Sequence, residues 1–83
     1  MDQNEVLTRL QAIFDDLFLD DVVVTPELSA KEVEEWDSLI HISLVVAVEE
    51  VFDIKFRVGE VEAASNVGEF CKIILERMNN GNA

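Results

Sequence analysis

Ser38 stands between Asp37 and Leu39 in the stretch Glu34-Glu35-Trp36-Asp37-Ser38-Leu39-Ile40-His41, and three chemistries compete for its hydroxyl. As a nucleophile it needs a base within hydrogen-bond reach and a group that orients the base. His41 lies three residues on, near enough on a helix for the two side chains to approach. Nothing recognisable orients it, no Gly-x-Ser-x-Gly elbow surrounds the serine, and the crowd of carboxylates disfavours an oxyanion. His41 reads more simply as a partly buried imidazole filling the top of a bundle. As a helix cap, Ser38 would satisfy an orphan N–H and need no further explanation. As a modification site it would occupy the exposed start of a helix, where free N–H groups and the positive dipole end favour an attached phosphodiester. That preference is about 0.3–1 kcal/mol for an exposed charge, and Asp37 partly offsets it.

The surroundings of Ser38 are acidic out of proportion. Between Asp15 and Asp53 stand twelve carboxylates (Asp15, Asp16, Asp20, Asp21, Glu27, Glu32, Glu34, Glu35, Asp37, Glu49, Glu50, Asp53) against one base, Lys31. The net charge of the chain is −12. Such a surface repels nucleic-acid phosphates and anionic membranes and suits basic protein patches. A charge run more often marks a solvated face, but this one brackets the serine.

The elements that must hold the serine follow from spacing. Eighty-three residues bury roughly 60–65% of their unfolded surface, enough for one small core and no deep acyl pocket. We expect one domain over 1–83, ordered from about 4 to 78 and frayed over 79–83. From Val6 to Leu19, Leu7, Leu10, Phe14 and Leu17 recur three and four apart, which predicts an amphipathic helix. A long loop over 20–37 carries the only proline, Pro26, with the valines of Val22-Val23-Val24 plugging the core. Asp37 can cap a helix that runs from Ser38 or Leu39 to Phe52. Ile54-Lys55-Phe56-Arg57-Val58 alternates as a strand would; without a partner strand it reads as a structured loop with Ile54 and Phe56 inward. A short helical turn is expected around 59–64. Ser65 or Asn66 then caps a last helix, Asn66 and Glu69 having capping-box spacing, with Val67, Phe70, Cys71, Ile74 and Met78 as its stripe. The fold class is all-α: a four-helix bundle of three longer helices, one short third helix and a long first loop.

Cys71, the single cysteine, has no partner for an internal disulfide, and no metal-ligand or EF-hand spacing occurs. It reads as a small core residue. No apolar run approaches the roughly 18 residues of a membrane span, and no signal-peptide pattern opens the chain. The expectation is a cytoplasmic monomer.

On a helical wheel, Ser43, Glu49 and Glu50 share one arc that faces water. Leu44, Val45, Val48, Val51 and Phe52 fall largely on the core side. Leu39 and Val46 land inside the polar arc. They are either incidentally exposed or a strip on which another protein docks, rimmed by Glu49 and Glu50.

Over 36–56, Trp-Asp-Ser-Leu-Ile-His-Ile-Ser-Leu-Val-Val-Ala-Val-Glu-Glu-Val-Phe-Asp-Ile-Lys-Phe, the chain resembles the acyl carrier proteins of fatty acid and polyketide synthesis. Asp37-Ser38-Leu39 is similar to the family's attachment motif, and Glu49, Glu50, Phe52, Asp53 and Ile54 match its pattern at the end of the motif helix. The resemblance implies that Ser38 carries 4′-phosphopantetheine, transferred from coenzyme A by a phosphopantetheinyl transferase, usually with magnesium in that enzyme. The chain itself would then be no enzyme but a carrier. Its partners would be acyl-activating, acyltransferase or ketosynthase-type enzymes with basic patches. Asp37 matches the residue the transferase recognises. Leu39, Val46, Glu49 and Glu50 match docking positions, and Glu60 and Glu62 lie where the short third helix adds acidic contacts. Some members enclose the acyl chain between helices.

Ile40 and Ser43 stand where fatty-acid members commonly have acidic residues. Trp36 and His41 look more like discrete carriers of specialised pathways, serving polyketides, modified polysaccharides or aminoacyl transfer. An aminoacyl or peptidyl carrier shares the fold and the serine, though its members are generally less acidic around the motif. An unmodified acidic adaptor that binds a protein through Leu39 and Val46 is the reading from a different class.

Overall fold

Asp2 starts the first helix. Its carboxylate accepts the Glu5 N–H at 3.0 Å, satisfying one of the four donors that a helix start leaves open, and α1 runs Gln3–Leu17. The structure is a computed structural model that describes residues 2–57 and 59–80. Two more helices follow, α2 over Ser38–Phe52 and α3 over Val67–Asn80, with single 3-10 turns at Ala30–Glu32 and Val61–Ala63. No strand occurs among the described residues, so the class is all-α.

The helix count differs from expectation. The short third helix expected around 59–64 is only the 3-10 turn. Gly59, at φ 82°, enters it and extended Ala64 leaves it, which allows three residues of turn. Val61 alone among those three is buried, so packing offers little to prolong a helix there. At the other end, α3 continues through Asn80; residues 79 and 80 are helical where fraying was expected, and 81–83 lie outside the described residues.

Among the described residues, fourteen buried apolar side chains form one cluster. Val6, Leu10, Ile13 and Phe14 come from α1, Leu44, Val48 and Phe52 from α2, and Val67, Phe70, Cys71 and Ile74 from α3. The buried face of α1 is thus rotated from the expected stripe, with Leu7 and Leu17 half-buried at its edges. Ile54 is buried and Phe56 half-buried, as the alternation implied. α1 packs closely against both α2 and α3, whereas α2 and α3 keep further apart.

The long connection after α1 is held at three places. Gln11 clamps its middle: the side-chain amide donates to the Val22 carbonyl at 2.7 Å and accepts the Val24 N–H at 2.8 Å. Glu35 accepts the N–H groups of Leu19 and Asp20 at 2.8 and 3.2 Å. The start of α3 donates into the loop, from Val67 to the Leu28 carbonyl and from Gly68 to the Pro26 carbonyl, both at 2.8 Å. Gly68 permits that approach, because a Cβ there would meet the Pro26 oxygen at 3.1 Å.

Gln11→Ala leaves one half-buried carbonyl and one half-buried N–H without their partners. We expect a loss of about 1–3 kcal/mol, read as a lower denaturant midpoint at unchanged slope. An unchanged midpoint would mean that the loop is held by the half-buried Val22 and Val24, since Val23, expected in the core, is 73% exposed.

Candidate functional site

Ser38 is the first residue of α2, and its neighbour does the capping. Asp37 is extended (φ −96°, ψ −175°), and its carboxylate accepts the Ile40 N–H at 2.9 Å. Its carbonyl accepts the His41 N–H at 2.9 Å, the first bond of the helix. The alternative in which Ser38 is the cap is thereby corrected. The Ser38 side chain is exposed and joins no hydrogen bond among the described residues.

His41 is occupied elsewhere. The Trp36 indole N–H donates to His41 Nδ1 at 3.2 Å, and the two rings stack with centroids 6.2 Å apart. Trp36 in turn sets its edge against Phe14 and Phe18, at 5.2 and 6.0 Å. His41 is half-buried in this aromatic group, the partly buried imidazole that its position implies. A base turned toward the tryptophan does not activate the serine, so the hydrolase reading has no geometry behind it.

Leu39 and Val46 are exposed, at 74% and 48% of their surface. Ile42, missed by the wheel, is 61% exposed and completes a row with them at spacings of three and four. Val51 was expected inward and is 46% exposed; α2 is apolar around most of its circumference, so hydrophobicity alone does not fix which residue turns in. Glu50 and Glu62 are exposed. Glu49 is half-buried, and its carboxylate accepts the Phe56 N–H at 2.8 Å, tying the 54–57 segment to α2. The helix closes on Asp53 in the left-handed conformation, with the Ile54 N–H reaching back to the Glu49 carbonyl.

Glu60 does not stand free as an acidic contact. Arg77 grips its carboxylate with two N–H groups, at 2.9 and 2.7 Å, and the Arg57 N–H adds a third bond at 3.0 Å. The Arg77 hydrogen bonds are the main reason its carboxyl is held below the usual range, against the opposing effect of burial. A carboxyl lowered on folding stabilises the protein above the unfolded value of 4.5 and stops doing so as pH falls through the folded value. We therefore expect Arg77→Met to melt below the wild type at neutral pH and the gap to close as the pH drops below 4.5. Parallel melts across that range check it, and a gap independent of pH would assign the loss to packing.

The thiol of Cys71 is buried, and burial pushes it up to about 11. It stays protonated at neutral pH, in keeping with a small core residue. Among the described residues, no helix is long and apolar enough to cross a membrane.

No family model matches the chain. It is similar to the acyl carrier protein of Rubrobacter xylanophilus, 36% identical over 77 residues that span 92% of this chain and 95% of that protein. It is also similar to the acyl carrier protein of Thermosynechococcus vestitus, 35% identical over 96% of this chain and 95% of that one. The solution structure of the holo acyl carrier protein from Geobacter metallireducens superimposes with a TM-score of 0.81 at 35% identity, covering 92% of this chain and 88% of that chain. Identity above a third, end to end in both sequence and fold, is more than a shared arrangement of helices would give: the chain belongs to the acyl carrier protein family.

Proposed function

We propose that Ser38 is the attachment point of a 4′-phosphopantetheine arm and that the chain shuttles acyl groups between enzymes of a specialised biosynthetic pathway in the cytoplasm. One observation carries this reading: the Ser38 hydroxyl is exposed, unbonded and not needed as a cap. The group fits there. The backbone N–H groups at the start of α2 and its positive dipole end suit a phosphodiester, and Asp37 remains available on the surface for the transferase. When attached, the arm supplies a thiol that holds acyl groups as thioesters. The protein itself contributes position, docking and release, and no catalysis.

For docking we propose Asp37, Leu39, Val46, Glu49, Glu50 and Glu62, to which the exposure of Ile42 adds a further apolar contact. Glu60 contributes indirectly, by fixing the 3-10 turn that presents Glu62. The partners are the phosphopantetheinyl transferase and acyl-activating, acyltransferase or ketosynthase-type enzymes with basic patches. Charge complementarity speeds encounter and sets orientation without demanding tight binding. A carrier that visits several enzymes must also leave each of them. Trp36 and His41, which resemble discrete carriers, support a dedicated pathway over housekeeping fatty-acid synthesis.

Incubation with coenzyme A and a broad-specificity transferase tests the reading. The intact mass should rise by about 340 Da, mapped by proteolysis to the peptide containing Ser38. No gain on folded protein, beside a control carrier that is modified, leaves the unmodified adaptor in its place.

Val46→Glu separates docking from folding. The side chain is nearly half exposed, so stability should move by less than about 0.5 kcal/mol. Transfer to a partner enzyme should slow about tenfold in kcat/KM. Severe unfolding would mean that this face is turned inward.

A further inference from the structure

Leu19 is the most exposed large apolar side chain among the described residues, at 96%, and Val23 on the same segment is 73% exposed. Both are held outward by their neighbours. Phe18 is buried, stacked on Phe14 and edge-on to Trp36, and its N–H closes α1 on the Phe14 carbonyl. With Phe18 turned in, and the N–H groups of Leu19 and Asp20 taken by Glu35, Leu19 is left outside on a fixed backbone. The Gln11 clamp holds Val22 and Val24 half-buried and leaves Val23 between them in water. One exposed apolar residue is ordinary. Two of them on a tied-down segment are pre-organised, so a partner that covers them loses little to ordering. Asp16, Asp20 and Asp21 border the pair, all exposed and in no ion pair among the described residues.

We propose that Leu19, with Val23, is a docking contact for the phosphopantetheinyl transferase, which meets it with an apolar pocket rimmed by lysine or arginine. The proposal rests on the carrier reading of Ser38. Enzymes that use the thiol meet it at the far end of the arm. The transferase must bring a phosphate to the Ser38 hydroxyl itself, so its footprint centres there. A standard interface covers about 800 Å² of each partner, a disc of about 16 Å radius. The Leu19 N–H lies 2.8 Å from the Glu35 carboxylate, and Glu35 is three residues from Ser38, at most about 11 Å of chain. A turn shortens that stretch, the Asp37 N–H meeting the Glu35 carbonyl at 2.9 Å. A footprint centred on Ser38 therefore reaches the Leu19 backbone. The three unpaired carboxylates call for a basic rim. A second copy of the chain, with the same net charge of −12, is repelled from this surface, as are nucleic acids and anionic membranes.

The test measures steady-state transfer from coenzyme A by a broad-specificity transferase, read by intact mass, on wild type, Leu19→Ser, Leu19→Ser with Val23→Ser, and Val51→Ser. The last is a control, an exposed valine on α2 thirteen residues from Ser38 and so about 20 Å along the helix. Leu19→Ser should raise KM for the carrier about tenfold, the worth of burying one leucine at an interface. The double variant should raise it further. The kcat should stay within about twofold, because nothing at the hydroxyl has changed, and melting should match the wild type. Val51→Ser should leave KM as it is. Asp20→Asn with Asp21→Asn should raise KM by less and flatten its rise with salt. A KM for Leu19→Ser within twofold of the wild type, an equal rise in Val51→Ser, or a lower melting temperature for Leu19→Ser overturns the assignment while the carrier reading stands. Absence of any adduct on the wild type brings down the carrier reading and this proposal with it.

Discussion

Ser38→Ala should abolish the phosphopantetheine adduct completely while leaving the protein at least as stable as the wild type. The two halves of this result have separate causes. The hydroxyl is the only group at position 38 that can form the phosphodiester, and the next serine on the helix, Ser43, lies more than a turn away from the capped start. Stability is untouched because the cap belongs to Asp37, whose carboxylate holds the Ile40 N–H. The Ser38 side chain bonds to nothing among the described residues and is exposed. Alanine is also the better helix former, by about 0.5 kcal/mol at most at such a position. Asp37→Ala supplies the contrast, since loss of the cap should cost about 1 kcal/mol and lower the melting temperature. Intact mass and thermal melts of the two variants settle the matter. An adduct on Ser38→Ala would place the attachment at another hydroxyl, and a destabilisation matching that of Asp37→Ala would mean that the Ser38 side chain shares in the cap.

The start of α2 was legible because its signals are local. An acidic cap, a serine that tolerates exposure and an apolar run agree with one another, and the structure begins the helix where they point. The same holds at α3, where Asn66 accepts the Glu69 N–H at 2.9 Å, although the returning Glu69 carboxylate takes the Ser65 N–H in place of that of Asn66. Features that depend on distant neighbours were not legible. Glu60 looked like one more surface acid because its partner, Arg77, stands seventeen residues away on another element. The clamp by Gln11 on Val22 and Val24 crosses from a helix to a loop, and no periodicity reports such a bond. The phase of α1 and the exposure of Val51 failed for a related reason. Where several adjacent faces are apolar, the face that is buried is chosen by the packing partner. For α1 that partner is both other helices at once.

The attachment site shows the same division. The exposed row of Leu39 and Val46 was visible on a wheel, whereas the bond between Trp36 and His41 was not, because Trp36 precedes the helix and no helical spacing relates the two. That pair underlies the second large effect. Trp36→Ala should cost about 3 kcal/mol, the low end for truncating a large aromatic because the ring is only half-buried. For a chain of this size that corresponds to a fall of roughly 10–25 °C in melting temperature. The loss has three parts: the edge contacts on Phe14 and Phe18, the stack on His41 and the indole hydrogen bond. Trp36→Phe keeps most of the ring contacts and gives up the bond, so it should fall between the two. The functional consequence follows from position. Trp36 anchors the segment leading into Asp37 and Ser38 to the core of α1, so its removal frees the start of α2 as well as loosening the core. At a temperature where the variant is still folded, transferase modification should therefore slow, although no atom of the hydroxyl or of the cap has changed. Melts of the two variants and modification rates measured well below their midpoints test this. If Trp36→Ala melts like the wild type, the aromatic group is a surface ornament and Ser38 is held by its cap alone.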